Sequence, residues 1–218
     1  MSDLLSHPAA PLIIALAVGY ILGALPLAER ISRLNGVDIF NTGTGLAGAS
    51  NVLHKVGFVP AAVVVVGDTA KGALAVIVGN LLGLEGVWVL APASAAIAGH
   101  WKSAFSGFRG GDGLAVLAGV TIAVIPGFGM IGVLVGSLVA VGGRVFPYTS
   151  LLSVVSGFLA LVSLSLAYYG DTAIMLGIGI MAWVVLGYAV LGHARRNRAG
   201  EWNAEGEPNG MPETDRAV

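Results

Sequence analysis

The 218-residue sequence contains no cysteine and few charged residues, which make up 11% of the chain. Without cysteine, the chain forms no disulfide and has neither a thiolate metal ligand nor a cysteine nucleophile. Soluble domains carry about 25% charged residues, whereas this sequence is 56% hydrophobic and has a mean hydropathy of +0.87. The composition therefore predicts a polytopic membrane protein.

Seven apolar runs are separated by short polar stretches. They extend over residues 8–28, 56–83, 86–99, 114–125, 127–141, 148–169 and 172–191. A full membrane span requires about 20 residues. The fourth and fifth runs, which are split at Pro126 and Gly127, are shorter and are compatible with a hairpin that does not cross completely. We therefore expect an all-α bundle of about seven transmembrane helices.

The basic residues fall on one side of the membrane if the amino terminus is placed outside. The predicted inner side then receives ten of the eleven Lys and Arg residues, and the eleventh, Lys71, lies within a run. This asymmetry predicts an N-out/C-in topology. Residues 1–8 lack the basic region of a signal peptide, so we interpret the first run as an anchor. We expect a membrane domain over residues 1–200 and a polar, disordered cytosolic tail over residues 201–218.

Three polar segments converge on the predicted inner side. They are residues 29–55, which include GTGLAGASN (43–51), residues 99–113 (GHWKSAFSGFRGGDG) and residues 192–202 (GHARRNRAGEW). Glycine-rich backbone can turn successive N–H groups toward a phosphate, and a helix start adds its positive end. Ser50 and Asn51 are candidate caps for such a helix. The spacing alone is equally compatible with tight connections that bind nothing.

An ionisable pair lies within the second apolar run, in the stretch GDTAKGA. Asp68 and Lys71 are three residues apart and so share a helix face. Charged groups at this depth are expensive and often mark a functional site. The alternative is a self-neutralising pair that pins helices together.

The order and spacing of the motifs resemble those of the bacterial membrane-integral acyl-phosphate:glycerol-3-phosphate acyltransferase family. The matching segments are LGALP (22–26), NGVDIFNTGTGLAGASNVLHKVG (35–57), DTAKGALAV (68–76) and GHWKSAFSGFRGGDGLA (99–115). The resemblance covers most of residues 10–200. It implies a mostly seven-helix bundle in the plasma membrane, with the amino terminus outside and the motifs on the cytosolic side.

The resemblance implies transfer of a fatty acyl group from acyl phosphate to the sn-1 hydroxyl of glycerol 3-phosphate. The product is lysophosphatidic acid, a precursor in phospholipid biosynthesis. Because acyl phosphate is already activated, the site needs phosphate binding, orientation of the hydroxyl and oxyanion stabilisation, but no enzyme nucleophile. The implied partners are these two substrates and the lipid bilayer. We expect no metal, cofactor or nucleic acid, and the oligomeric state stays open.

The motifs and the resemblance together assign the candidate site residues. Candidate catalytic residues are Thr44, Asn51 and His193. Candidate substrate- and phosphate-binding residues are Gly43, Gly45, Gly48, Ser50, His54, Lys71, His100, Lys102, Arg109, Gly110, Gly111, Asp112, Gly113 and Asn197.

Several positions depart from the family pattern. Leu46 and Ala47 replace an Asn-Pro pair, and His54 replaces an arginine. Asp112 replaces a lysine, which reverses the charge beside a bound phosphate. At about 4 Å and an effective dielectric constant of about 20, one charge contact is worth on the order of 4 kcal/mol.

The third segment also differs from the family pattern. His193 is followed by Asn197 at four residues instead of three. Residues three or four positions apart lie on the same face of a helix. The change in spacing therefore still allows both side chains to contribute to one site.

Three functions are compatible with these departures. The first is a divergent acyltransferase in which Lys71, Lys102 or Arg109 compensates Asp112, or which uses another acceptor. The second is a non-catalytic lipid-binding or interaction protein of the membrane. The third is a small transporter with Asp68 and Lys71 as its coupling site, although the sequence lacks the two-half repeat of many transporters. We expect the acyltransferase.

Overall fold

The computed structural model describes residues 9–142, 149–168 and 172–205, and this part of the chain is helical. It contains α1 (Ala10–Ala24), α2 (Leu27–Leu34), α3 (Ala49–Lys55), α4 (Phe58–Leu81), α5 (Leu90–Trp101), α6 (Leu114–Val124), α7 (Pro126–Gly142), α8 (Thr149–Tyr168) and α9 (Thr172–Glu205). Short 3₁₀ turns cover Gly86–Val89 and Ala104–Ser106. The described residues contain no β-strand, and the all-α prediction is confirmed.

Three helical stretches are long and apolar enough to cross a bilayer. They are Ala10–Leu34, Phe58–Leu81 and Ala173–Gly192. Leu114–Val124, Pro126–Gly142 and Leu151–Leu164 are shorter apolar helices. Each predicted apolar run therefore corresponds to a helix. The number of complete crossings and the N-out orientation stay predictions.

The first span is interrupted at Leu25 and Pro26. Proline has no N–H to donate to the carbonyl oxygen of Leu22, so the helix breaks there. The carbonyl oxygens of Ala24 and Leu25 accept side-chain hydrogen bonds instead, from Ser103 Oγ at 2.5 Å and from Lys71 Nζ at 2.6 Å. A break within an apolar span requires such partners, because unpaired carbonyl groups away from water are costly.

Glycines allow α1 to lie directly against α5. A Cβ atom at Gly19 would collide with the carbonyl of Pro92, and one at Gly23 would collide with the carbonyl of Ala96. Gly23 follows Gly19 by four residues on α1, and its contact Ala96 follows Pro92 by four residues on α5. The two helices therefore run parallel. This is the close backbone approach that small residues permit between membrane helices.

Two apolar cores support the polar segments. The larger core brings together residues of α4, α5, α6, α8 and α9. The smaller core consists of Ala28, Ile39, Ala47, Val52, Ala61 and Val64. It lies beneath the connection between α2 and α4. That connection is therefore packed in place although it contains only the short helix α3.

The predicted tail begins within a helix. Helix α9 continues to Glu205, five residues beyond the predicted domain boundary at residue 200. Residues 206–218 lie outside the described part of the chain. The division at residue 200 stays a prediction.

Substitution of Gly23 by leucine tests the contact between α1 and α5. Gly23→Leu should lower the free energy of unfolding by about 2 kcal/mol or more, because the side chain has no space beside Ala96. Thermal unfolding in detergent measures the change. Gly127→Leu is the matched control, because nothing lies within 4 Å of a Cβ atom at Gly127. Equal melting temperatures for the two variants would contradict the described packing.

Candidate functional site

The first glycine loop, residues 43–48, is held in shape by the side-chain amide of Asn51, which is 3% exposed. Its Oδ1 accepts a hydrogen bond of 3.3 Å from the N–H of Thr44. Its Nδ2 lies 2.9–3.1 Å from three backbone carbonyl oxygens, those of Ile39, Thr42 and Leu46. One side chain therefore closes the loop around the start of α3. These contacts give Asn51 an organising role, and its catalytic role stays a prediction.

Helix α3 begins without a side-chain cap. Its N-cap is Gly48, and neither Ser50 nor Asn51 caps the helix, so that expectation is wrong. Asn51 points back into the loop, where it satisfies several carbonyl groups instead of one terminal N–H. Thr44, on the loop, and Ser50, in the first turn of α3, are exposed. Their hydroxyl groups are therefore accessible to a ligand.

The second glycine loop, residues 110–113, lies on the end of α5 and against the first glycine loop. The N–H of Ala47 donates to the carbonyl oxygen of Gly110 at 3.1 Å, and the N–H of Gly111 donates to that of His100 at 3.2 Å. A Cβ atom at Gly110 would collide with the His100 carbonyl, and one at Gly111 would collide with the His100 ring. Glycine is therefore required at both positions for the two loops to meet.

Two of the four N–H groups of the second glycine loop are unpaired. Among the described residues, the N–H groups of Asp112 and Gly113 have no hydrogen-bond acceptor, whereas Gly110 lies next to the antiparallel bridge between Ser103 and Arg109. Gly113 also has a positive φ of 87° and is the N-cap of α6. Unpaired backbone donors beside a helix start are groups that can bind an anion.

A buried ionic cluster lies below the loops. Lys71 Nζ is 2.7 Å from Asp68 Oδ1, and His100 Nδ1 is 3.8 Å from the same oxygen. All three side chains are at most 7% exposed. Since Lys71 also donates to the carbonyl of Leu25, the contacts favour the interpretation as a pair that holds helices together. Binding of a substrate by Lys71 or His100 stays a prediction.

Exposed cations lie around the first glycine loop. The Arg109 guanidinium carbon is 4.3 Å from the centre of the Phe40 ring. The Lys55 side chain passes close to Gly43, because a Cβ atom there would lie 2.9 Å from Lys55 Cε. His54 and Lys102 are also exposed. Arg109 and Lys55 therefore bring positive charge to the surface beside the loop, which also carries the exposed carboxylate of Asp38.

Asp112 interacts with a helix start and not with a cation. Its Oδ1 accepts a hydrogen bond of 3.1 Å from the N–H of Leu114, in the first turn of α6. Among residues 9–142, no ion pair joins Asp112 to Lys71, Lys102 or Arg109. The alternative in which one of these cations compensates Asp112 therefore has no ion pair to support it and stays a prediction. The positive end of α6 accommodates the carboxylate.

The structure adds three polar residues that the sequence analysis missed. Glu29 is 6% exposed, accepts a hydrogen bond from Ser106 Oγ and pairs with Arg33 at 2.7 Å. Ser103 Oγ bonds the carbonyl of Ala24. These contacts fix the connection after α5 against α2 and the end of α1. Pro26 is the signal in the sequence that points to such residues. A helix break frees carbonyl groups, and these need hydrogen-bond donors from elsewhere in the chain.

Two cavities adjoin the loops. A small cavity of about 20 Å³ is lined by residues that include Lys71, His100, Arg109, Gly110 and Gly111. A larger apolar cavity of about 300 Å³ begins at Leu114 and continues between α4, α6, α7, α8 and α9. The small polar cavity therefore touches the second glycine loop, and the apolar cavity reaches Leu114, the residue that follows the loop.

The third predicted segment is described only in part. His193 and Asn197 lie on α9, but their side chains are outside the described residues. Tyr188, earlier on the same helix, stacks on Trp101 with 4.3 Å between ring centres. This contact brings α9 to the end of α5. No group of three or more His, Asp or Glu residues that could hold a metal occurs among the described residues.

Comparisons with known proteins agree with this arrangement. Residues 13–199 match the model of the family described as glycerol-3-phosphate acyltransferase. Glycerol-3-phosphate acyltransferase 1 of Deinococcus radiodurans is 41% identical over 118 residues, which are 54% of this chain and 60% of that protein. The glycerol-3-phosphate acyltransferase of Rubrobacter xylanophilus is 38% identical over 156 residues, 69% of this chain and 76% of that protein.

The matched length varies among the relatives. The glycerol-3-phosphate acyltransferase of Geobacter sulfurreducens is 40% identical over 114 residues, 52% of this chain and 59% of that protein. The chain thus spans about 60% of the length of the first curated relatives it matches.

Solved structures extend the likeness across the bundle. The crystal structure of PlsY (YgiH), an integral membrane glycerol 3-phosphate acyltransferase, in its glycerol 3-phosphate form has a TM-score of 0.68 and 27% identity. The match covers 88% of this chain and 92% of that chain. The lysophosphatidic acid form gives a TM-score of 0.65 at the same identity and coverage. The chain is therefore a multi-pass membrane protein that belongs to the glycerol-3-phosphate acyltransferase family.

Proposed function

We propose that the protein transfers a fatty acyl group from acyl phosphate to the sn-1 hydroxyl of glycerol 3-phosphate. The products are lysophosphatidic acid and inorganic phosphate. The observation that carries this proposal is the set of unpaired N–H groups in residues 110–113, which are joined to the first glycine loop through Ala47 and Gly110. Such donors suit the phosphate of an acyl phosphate, whose negative charge increases as it leaves.

The proposed reaction needs no covalent enzyme intermediate. The acceptor hydroxyl oxygen forms an ester bond with the acyl carbon, the bond from that carbon to the phosphate oxygen breaks, and the hydroxyl proton leaves with the released phosphate. The protein holds the two substrates together, which lowers the barrier by positioning. Thr44 presents its exposed hydroxyl on the first glycine loop. His193 and Asn197 reach the site from α9 in this proposal.

The apolar cavity supports the choice of a fatty acyl substrate. It begins at Leu114, directly after the second glycine loop, and extends between helices. An acyl chain in this cavity would leave its phosphate beside the unpaired N–H groups. This arrangement suits a donor with a charged head and a long apolar chain.

The proposed location is the plasma membrane, with the loops at the cytosolic face. The one-sided distribution of Lys and Arg supports this orientation. The contacts of Lys71 with Asp68 and Leu25 favour a structural pair, so no observation favours the transporter.

Labelling of single cysteines tests the orientation. The sequence has no cysteine, so each introduced thiol reacts without background. Leu34 is exposed at the start of the connection that precedes α4, and Glu85 is exposed in the connection that follows α4. In intact cells, a membrane-impermeant reagent should modify Glu85→Cys and leave Leu34→Cys unmodified until the cells are opened. Modification of Leu34→Cys from outside would place the loops on the wrong face for a cytosolic donor.

Two substitutions test the glycine loops as the site of transfer. Thr44→Ala and Gly111→Ala should each lower kcat/KM at least about tenfold, or about 1.4 kcal/mol. The first removes the exposed hydroxyl, and the second pushes the loop away from His100. Formation of lysophosphatidic acid from acyl phosphate and labelled glycerol 3-phosphate provides the assay, and Gly127→Ala is the control.

Two outcomes would count against this assignment. Unchanged turnover in both variants would make the loops simple connections. A folded wild-type protein that forms no product would remove the catalytic proposal and favour the non-catalytic lipid-binding protein.

Substitution of Asp112 tests the effect of the reversed charge. Asp112→Asn keeps the oxygen that caps α6 but removes the charge beside the unpaired N–H groups. The KM for acyl phosphate should fall roughly threefold or more at low salt, with a smaller change at high salt because salt screens the charge. Asp112→Lys should lower the KM further by adding a cation.

Activity with two different acceptor substrates tests the role of Asp112. Wild type, Asp112→Lys and the His54→Arg, Asp112→Lys double variant are compared with glycerol 3-phosphate and with glycerol. Better use of glycerol 3-phosphate by the lysine variants agrees with the proposal. Loss of all activity in Asp112→Asn, with intact folding, would show that the carboxylate takes part in binding or catalysis of another acceptor.

A further inference from the structure

Trp101 contacts two separate parts of the site. Its indole Nε1 donates a hydrogen bond of 2.8 Å to the carbonyl oxygen of Asp112, in the second glycine loop. Its ring stacks on that of Tyr188 in α9, with ring centres 4.3 Å apart and planes 16° from parallel. One side chain at the end of α5 therefore connects the second glycine loop to α9.

The loop is shaped to receive this indole. A Cβ atom at Gly113 would lie 2.7 Å from Trp101 Nε1 and 3.5 Å from Cδ1. Because Gly113 also has a φ of 87°, both the backbone conformation and the close approach of Trp101 require glycine there. The loop backbone therefore rests directly on the ring.

The other partner of Trp101 lies on the helix that carries the third predicted segment. Tyr188 precedes His193 by five residues on α9, which corresponds to about 7.5 Å along a helix axis. Residues 110–113 supply the proposed phosphate donors, and His193 and Asn197 are the proposed contribution of α9. The spacing between these two parts thus depends on a hydrogen bond and a ring stack to the same side chain.

We propose that Trp101 is a positioning residue that sets the second glycine loop at a fixed distance from α9. This inference rests on the proposed function for its catalytic consequence. An aromatic ring alone would fill the half-buried space beside the larger core. The indole N–H adds a bond to the loop backbone, which phenylalanine or leucine cannot make. Loss of that bond should allow the loop to move while the bundle remains folded.

Four variants separate positioning from packing. Trp101→Phe keeps a ring to stack on Tyr188 but loses the N–H, whereas Trp101→Leu loses both contacts. Tyr188→Leu removes the stack from the side of α9. Trp183→Leu is the matched control, because Trp183 lies on the same helix and is 63% exposed.

The first readout is amide hydrogen exchange, which needs no turnover. Exchange of the Gly111 N–H, which donates to the carbonyl oxygen of His100, should become at least about threefold faster in Trp101→Phe and should not change in Trp183→Leu. In Trp101→Leu, exchange should also become faster in the part of α9 around Tyr188. Unchanged exchange of the Gly111 N–H in both Trp101 variants would overturn the proposal.

The second readout is the separate measurement of kcat and KM in the acyltransferase assay. Trp101→Phe should raise the KM for acyl phosphate at least about fivefold with a smaller effect on kcat, because only the loop is released. Tyr188→Leu should lower kcat more than it raises the KM. Equal losses in Trp183→Leu, or a fall in active protein without a change in either constant, would show a purely structural role. An inactive wild-type protein would contradict the proposed function alone. Hydrogen exchange would still test whether Trp101 connects the second glycine loop to α9.

Discussion

The carbonyl oxygens at the break between α1 and α2 need hydrogen-bond donors, because an unpaired carbonyl group is costly within an apolar span. Lys71 and Ser103 supply these donors to Leu25 and Ala24. A buried ammonium group is costly unless it is paired, and Asp68 provides the pairing carboxylate. The break thus explains why a charged pair is retained within an apolar helix and why the connection after α5 turns back toward α1.

The two glycine loops meet as a consequence of that arrangement. Ser103 fixes the beginning of the connection, and the N–H of Ala47 holds its other end through the carbonyl of Gly110. Glycine at residues 110 and 111 permits the contact, whereas Asn51 holds the first glycine loop in shape. The N–H groups of Asp112 and Gly113 then remain without acceptors among the described residues. In this account, the anion site results from backbone geometry, and the surrounding cations increase its attraction for phosphate.

The sequence predicts the helices and the meeting of the motifs better than it predicts the contacts. Each apolar run becomes a helix, because hydrophobic length is a local property of the chain. The partner of Asp112 cannot be predicted from such a local property. The choice between a nearby cation and a helix start depends on where its carboxylate points. The roles of Trp101 and Ser103 depend on residues 87 and 79 positions away, Tyr188 and Ala24. No local pattern identifies such partners, although Pro26 indicates that some donor must come to the break.

Hydrogen exchange of residues 110–113 with and without inorganic phosphate tests the central claim most directly, because phosphate is the group that these amides are proposed to hold. Phosphate at a saturating concentration should slow exchange in this loop, and it should leave the connection around Glu85 unchanged. Asp112→Asn should need less phosphate for the same protection. Unchanged exchange in residues 110–113, in a preparation that forms lysophosphatidic acid, would show that phosphate binds elsewhere and would contradict the account.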